Sequence, residues 1–154
     1  MGKNNINIKN RKAKFQYEIL DKYVAGIKLV GTEIKSIREG KASIAESFCE
    51  FNDRQELFVV NMTIEEYSHA THFNHRPKTE RKLLLQRNEL RKLYKEVRNT
   101  GLTIIPLKMF INDRGFAKLQ IALCKGKKLY DKREDIKKRE TKRRLDRVKK
   151  AFNN

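Results

Sequence analysis

The chain has 154 residues, of which 37 are Lys or Arg and 19 are Asp or Glu, and its formal net charge is +18. A charge this far from zero points to a polyanionic partner, either nucleic acid or an anionic membrane surface. No apolar run approaches the roughly 18 to 20 residues of a membrane-spanning helix, and residues 1–14 contain no signal segment. We therefore expect a soluble, cytoplasmic protein.

The first part of the chain shows strand periodicity followed by a helical interruption. Apolar and polar residues alternate from Phe15 to Tyr23, which predicts a half-buried strand, and a second strand is expected from Ile27 to Val30. Apolar residues then recur three positions apart, so Thr32 is expected to cap a helix of about two turns that ends before Gly40.

Two hairpins and a longer helix are predicted in the rest of the body. Phe48 to Phe51 and Leu57 to Met62 flank one polar turn, and Thr103 to Ile111 and Phe116 to Cys124 flank another. Between the hairpins, apolar residues at i, i+3, i+4 and i+7 predict an amphipathic helix from Arg87 to Asn99. Six short strands and two helices predict a mainly β fold, an antiparallel barrel of the oligonucleotide-binding kind, over residues 1–125.

Residues 126–154 form a basic C-terminal tail. From residue 125 onward the chain contains 14 Lys or Arg residues and five acids, so half of the excess charge lies in one fifth of the sequence. This composition buries too little apolar surface to fold alone, but acid-before-base pairs at i,i+4 favour a helix. Two interpretations stay open: a tail that is disordered when free and becomes helical on a polyanion, or a solvated charged tail.

Residues that could bind a metal or act as a nucleophile are sparse. His69, His72 and His75 lack the further ligands that a zinc site needs. Cys49 and Cys124 are expected to be buried, unpaired thiols, since disulfides are rare in the cytosol. We therefore predict no metal site and no cofactor.

A metal-dependent nuclease is the enzymatic alternative. Asp21, followed by Glu33 and Lys35, imitates a pattern in which two carboxylates hold Mg²⁺ and a lysine stabilises the transition state. Such residues should lie on adjoining strands, whereas Gly31 and Thr32 begin a helix just before Glu33. RNA binding without catalysis is the leading interpretation, because basic residues cluster at the ends of several predicted elements.

Five segments of the sequence carry a family resemblance. They are NRKA (10–13), AGIKLVGTEIKSIREGKASI (25–44), RKLLLQRNELRKL (81–93), GLTIIPLKMF (101–110) and KGKKLYDKRE (125–134). In these segments the chain resembles the small protein B (SmpB) family, the SsrA-binding proteins. The resemblance implies a barrel that holds the transfer-RNA-like part of transfer-messenger RNA (tmRNA) and brings it to stalled ribosomes for trans-translation. It also implies a tail that occupies the empty messenger channel near the decoding centre.

The resemblance and the basic clusters together indicate which residues meet RNA. On the body these are Asn10, Arg11, Lys12, Gly31, Thr32, Glu33, Lys35, Ser36, Arg38, Lys41, Arg81, Lys82, Leu84, Lys118 and Lys125. In the tail, the ribosome-dependent positions are Gly126, Lys127, Lys128, Asp131, Lys132 and Arg133. Val24 departs from the family, which usually has Glu there, so the RNA contact of that carboxylate cannot be made in the same way.

The expected partners are tmRNA and the stalled ribosome, and the protein is expected to be monomeric with no membrane partner. The alternative within the RNA-binding class is a ribosomal or general RNA-binding protein, which would share the charge and the barrel. Such a protein would show no preference for tmRNA over other structured RNA.

Overall fold

The structure, a computed structural model, describes residues 6–98, 101–126 and 139–145. In these residues the strands are β1 (Asn7–Lys9), β2 (Tyr17–Ile27), β3 (Ala42–Ser43), β4 (Phe48–Phe51), β5 (Leu57–Val60), β6 (Thr63–Ile64), β7 (Arg81–Leu84), β8 (Leu102–Ile111) and β9 (Ala117–Gly126). The helices are α1 (Ala13–Gln16), α2 (Gly31–Arg38), α3 (Arg87–Val97) and α4 (residues 139–145).

Six of these strands close into an antiparallel barrel. β8 pairs with β4, and the order continues through β5, β7 and β2 to β9, which pairs with β8 again. β1 pairs with the C-terminal half of β8, and β3 and β6 form a separate two-stranded sheet. The predicted mainly β barrel is therefore confirmed.

The barrel interior is apolar because the side chains on the inward side of each long strand are apolar. In β9, Leu119, Ile121 and Leu123 are almost completely buried, whereas Lys118 and Gln120 between them are partly exposed. This is the alternation predicted for the strand. α2 and α3 each add a fully buried side chain to the same core.

Described residues cover one end of the outer side of the barrel. Ala13 of α1 packs there against Ile105 and Cys124, which form a second, small apolar cluster. α4 also meets α1, since the Arg139 guanidinium lies 5.0 Å from the centre of the Phe15 ring. No element of residues 6–98, 101–126 or 139–145 covers the other end of this outer side.

The structure differs from the predicted secondary structure at several positions. α1 occupies the start of the strand predicted from Phe15 to Tyr23. Of the strand predicted from Ile27 to Val30, only Ile27 is in a strand, as the last residue of β2, and residues 28–30 connect β2 to α2. The Thr32 side chain does not cap α2, because the carboxylate of Glu33 accepts the Val30 N–H at 2.9 Å. β7, which sequence periodicity did not predict, completes the ring beside β2 and β5.

Candidate nucleic-acid interface

The open end of the outer barrel surface carries two cross-strand rows of side chains. The strand registers define the first row as Lys9, Lys108, Gln120 and Val24, across β1, β8, β9 and β2. The second row is Asn7, Phe110, Lys118 and Gly26. We call these two rows, together with the exposed Lys22 of β2, the basic β face.

The four lysines of the basic β face have no acidic partner among the described residues. Lys9 and Lys108 are directly opposite each other on neighbouring strands, an arrangement that destabilises a sheet unless anions are near. The Lys108 ammonium lies 5.4 Å from the centre of the Phe110 ring, a favourable contact with a group that carries no net negative charge. A phosphate backbone can supply the missing negative charge.

A first recess at the β1 end of this face surrounds Asn10. It has a volume of about 380 Å³, and basic side chains dominate its lining: Lys9, Arg11, Lys14, Lys22 and Lys108. The Asn10 backbone N–H donates to the Leu107 carbonyl at 2.8 Å, and its side-chain Nδ2 donates to the Pro106 carbonyl at 3.1 Å. The side chain is thus fixed on β8, and its Oδ1 can accept a hydrogen bond from a ligand.

A buried ion pair attaches the N-terminal end of α2 to the loop before β7. The Arg81 Nε donates to the carboxylate of Glu33, and both side chains are almost inaccessible to solvent. The remaining Arg81 donors reach the carbonyls of Met62, Thr79, Arg76 and Pro77 at 2.9 to 3.2 Å. All five guanidinium N–H groups are therefore used inside the protein.

His75 adds a second attachment between this loop and α2. Its Nδ1 lies 2.9 Å from the Thr32 hydroxyl, and its Nε2 lies 2.9 Å from the Ile64 carbonyl. A carbonyl only accepts, so Nε2 carries the proton and Nδ1 accepts from Thr32 in the neutral ring. Further along the loop, the Lys35 ammonium lies 5.5 Å from the centre of the Tyr67 ring.

Comparison with known proteins gives a consistent result. The SmpB protein family model matches residues 7–151. The chain belongs to the SmpB family. It is similar to the SsrA-binding proteins of Christiangramia forsetii (78% identical; 97% of this chain, 95% of the relative) and Flavobacterium psychrophilum (64% identical; 96% and 97%). Among solved structures, a chain from a study of tmRNA–SmpB at the centre of the bacterial ribosome has a TM-score of 0.68 and 43% identity, with 85% of this chain and 94% of that chain covered.

In this SmpB family member, the structure brings part of the predicted contact set together. Asn10 and Arg11 line the first recess, and Arg38, Leu84 and Lys118 line a second recess at the other edge of the face. Gly31, Thr32, Lys35 and Lys41 lie on or beside α2. Lys125 lies at the opposite end of β9 from Lys118, facing Glu18 of β2 in the register, so it is apart from both recesses.

Three of the predicted contact residues have buried side chains. Glu33, Ser36 and Arg81 are 5%, 0% and 3% exposed, so their side chains do not reach a bound RNA in this conformation. Glu33 and Arg81 instead hold α2 and its neighbouring loop in place. The Ser36 hydroxyl has no hydrogen-bond partner among the described residues.

Three predicted cationic contacts each have an acidic side chain nearby. Their ion pairs are Lys12–Glu46 (3.9 Å), Lys41–Glu39 (3.4 Å) and Lys82–Glu56 (2.6 Å). Of the tail positions, Gly126 ends β9, whereas Lys127, Lys128, Asp131, Lys132 and Arg133 lie outside the described residues.

Sequence reasoning missed several members of the interface. Lys22 and Lys108 are not fully buried on β2 and β8, and both lie in strands that the sequence predicted, but neither was included among the predicted RNA contacts. Lys28, Arg114 and Phe116 line the second recess from connections between elements, although Lys28 and Phe116 were predicted to lie in strands. Lys22 and Lys108 could have been found as lysines that occupy polar positions of predicted barrel strands.

Asp21 and Glu33, the two carboxylates of the nuclease alternative, interact with different partners in the structure. The Asp21 carboxylate accepts a hydrogen bond from the Tyr23 hydroxyl at 3.0 Å and lies 3.4 Å from the Lys92 ammonium. Glu33 instead lies on α2 and forms an ion pair with Arg81 of β7. Within the described ranges, no group of three His, Cys, Asp or Glu side chains is placed to bind a metal ion. In the same part of the chain, no helix has both the length and the apolar character needed to cross a bilayer.

The cysteines match the prediction of buried, unpaired thiols. Cys49 and Cys124 are both free and buried. Burial raises the pKa of the Cys49 thiol well above its ordinary range and raises the pKa of Cys124 to about 11. Both therefore stay protonated at neutral pH, which makes them poor nucleophiles.

One arc of the barrel is acidic. Residues 46–66 contain a single base, Arg54, and six acids: Glu46, Glu50, Asp53, Glu56, Glu65 and Glu66. This acidic segment includes β4 and β5, which lie between β8 and β7 in the ring and contribute nothing to the basic β face. Positive and negative charge are thus segregated around the barrel.

Proposed function

We propose that the chain binds the tRNA-like domain of tmRNA through the basic β face and delivers it to stalled ribosomes for trans-translation. The observation that carries the proposal is the alignment of Lys9, Lys108 and Lys118 on one open barrel surface beside Asn10, with no described acid to neutralise them. Similarity to SsrA-binding proteins and to a chain studied with tmRNA on the ribosome supports it. The protein works in the cytoplasm as a monomer and catalyses no reaction itself.

Recognition follows from shape and charge. A folded RNA is distinguished by its outline, its 2′-hydroxyls and its unstacked loop bases, and a closed barrel is a rigid surface to match against them. The lysines of the face neutralise phosphates and release counter-ions. Polar groups such as the Asn10 amide fix the register by hydrogen bonds.

The chain divides into two functional parts in this proposal: residues 1–125 bind tmRNA, and residues 126–154 enter the vacant messenger channel. Residues 139–145 are helical, which supports a tail able to form a helix where ribosomal RNA surrounds it. Entry into the channel then reports that no messenger occupies it, because the vacant channel offers the basic tail an anionic surface that a bound messenger would cover.

Alanine substitutions in the tail test the division. Changing Lys127, Lys128, Asp131, Lys132 and Arg133 to Ala should leave tmRNA affinity unchanged and abolish peptide tagging in a reconstituted stalled-ribosome assay. Equal loss of tmRNA binding would contradict the two-part arrangement.

A competition experiment tests the choice of RNA. Labelled tRNA-like domain should resist displacement by excess unrelated structured RNA at about 150 mM salt, where nonspecific binding is weak. Equal displacement by both RNAs would favour a general RNA-binding or ribosomal protein instead.

A further inference from the structure

The second recess of the basic β face combines an apolar lining with a cationic rim. It has a volume of about 510 Å³, within the range of small-ligand sites. Phe116 and Leu84 line it with large apolar side chains that are 62% and 51% exposed. Gly26 contributes bare backbone, and a Cβ added there would stand 3.4 Å from the Leu84 Cβ.

Four cations also line this recess: Lys28, Arg38, Arg114 and Lys118. None of them has an acidic partner in the part of the chain that the structure describes. An apolar surface bounded by unpaired positive charge suits a ligand that is flat and apolar on its faces and anionic at its edge. A nucleotide of an RNA strand has this chemistry.

The turn that carries Phe116 is rigid before any ligand binds. The Asn112 side-chain oxygen accepts the N–H groups of Arg114 and Phe116 at 3.1 and 2.9 Å. Gly115 has a φ of +84°, a conformation that favours glycine, and its carbonyl accepts a hydrogen bond from Arg38 of α2 at 3.4 Å. The backbone that carries the phenyl ring is therefore held in place, which lowers the entropic cost of binding.

We infer that the second recess receives one unstacked nucleobase of the bound RNA, stacked on Phe116, with the adjoining phosphates on Arg114 and Lys118. The inference rests on the proposed function, since it assigns a site for one nucleotide within the RNA contact. Unpaired loop bases stacked on aromatic side chains are a common means of specific RNA recognition. Phe116 supplies the aromatic ring that the contacts predicted from sequence lack.

Substitution of the phenylalanine gives the first test. Phe116→Ala should weaken binding of the tRNA-like domain about tenfold, the order expected for one base–aromatic stack, and Phe116→Trp should preserve it. Phe73→Ala is the matched control, because Phe73 is 64% exposed on the loop before β7 and lines neither recess. Both rings are exposed, so thermal unfolding should be unchanged in all three variants.

The salt dependence separates stacking from charge. Phe116→Ala should shift affinity by the same factor at every salt concentration, whereas Arg114→Ala should reduce the slope of log affinity against log salt by about one. A reduced slope for Phe116→Ala would overturn the assignment of a stacking role.

Abasic substitution in the RNA gives the decisive test. Removing one particular unpaired base of the tRNA-like domain should weaken wild-type binding and leave Phe116→Ala binding unaffected, because both changes remove the same contact. If the wild type prefers tmRNA but Phe116→Ala binds as tightly as Phe73→Ala, the recess inference is wrong and the proposed function stands. If the wild type shows no preference for tmRNA, the proposed function itself is wrong.

Discussion

Arg81 shows how a residue expected at an RNA surface can serve the interior instead. Its guanidinium meets Glu33 and four backbone carbonyls, so a loop without regular hydrogen bonding is fixed to α2 through one side chain. Lysine cannot replace it, because an ammonium has three donors and lacks the planar fork. The residue acts on RNA binding through the shape it maintains.

Substitution of Arg81 should therefore be a folding defect. Arg81→Met leaves the buried Glu33 carboxylate without its cationic partner and removes the Arg81 donors from several carbonyls, which should lower the free energy of unfolding by about 3 to 5 kcal/mol. Urea unfolding followed by circular dichroism measures the loss. The neighbouring Lys82→Ala is the control: it breaks a half-exposed ion pair with Glu56, so its effect should be far smaller. A stable Arg81→Met protein with weakened RNA binding would instead favour a direct RNA contact.

Asp21 makes the stability of the folded barrel slightly dependent on pH in the acidic range. Hydrogen bonds from the Tyr23 hydroxyl and the Lys22 N–H lower the pKa of its carboxyl group below the ordinary value. A lowered pKa in the folded state means that the stabilisation is complete above about pH 4 and is lost as the pH falls through the folded-state pKa.

Comparison with Asp21→Asn isolates this contribution. The wild type should be more stable than Asp21→Asn by less than about 1 kcal/mol at neutral pH, because the carboxylate is partly exposed. The difference should be constant down to about pH 4 and shrink below it. Urea titrations at several pH values measure it, and a difference that grows on acidification would contradict the assigned hydrogen bonds.

At the scale of elements, the β1–β8 pairing favours RNA binding but reduces the stability of the free protein. Lys9 and Lys108 repel each other across the two strands in the free protein, and the same pair attracts phosphate in the complex. Removing one charge should affect folding and binding in opposite directions.

Lys108→Gln tests this opposition. Affinity for the tRNA-like domain should fall, and the slope of log affinity against log salt should decrease by about one. Thermal stability should stay the same or rise slightly. Lys95→Gln on the exposed side of α3 is a control of equal charge change, and it should leave affinity almost unchanged. Equal losses in the two variants would mean that net charge alone governs binding.

The elements also show what local sequence could and could not predict. α3 and the β8–β9 hairpin were predicted nearly to their observed ends, because their periodicity and turn residues are local. β7 was missed because four residues, RKLL, carry too little pattern, and its strand state comes from pairing with β2 and β5. Likewise, Glu33 and Arg81 are 48 positions apart, so their pairing depends on tertiary structure that neither local pattern contains.

At the scale of the whole molecule, a charge of +18 makes the free protein sensitive to ionic strength. Mutual repulsion of lysines opposes the compact state, and salt screens it. The melting temperature should therefore rise by roughly a few degrees between about 50 and about 500 mM NaCl.

Differential scanning fluorimetry measures this effect. A Lys9→Gln, Lys108→Gln double variant provides the comparison, since it lacks the directly opposed pair and should respond less to salt. A melting temperature that falls with added NaCl would show that favourable ion pairs, such as those of Asp21 and Glu56, outweigh the repulsion.

The acidic segment at residues 46–66 has a consequence for how many RNA molecules one protein can hold. A particle that is cationic on every side can bridge two nucleic acid strands, and at higher concentration such bridges build networks that separate into droplets. With β4 and β5 turned away from the lysine rows, a second strand approaching from behind meets repulsion. We expect soluble one-to-one complexes even when RNA is in excess.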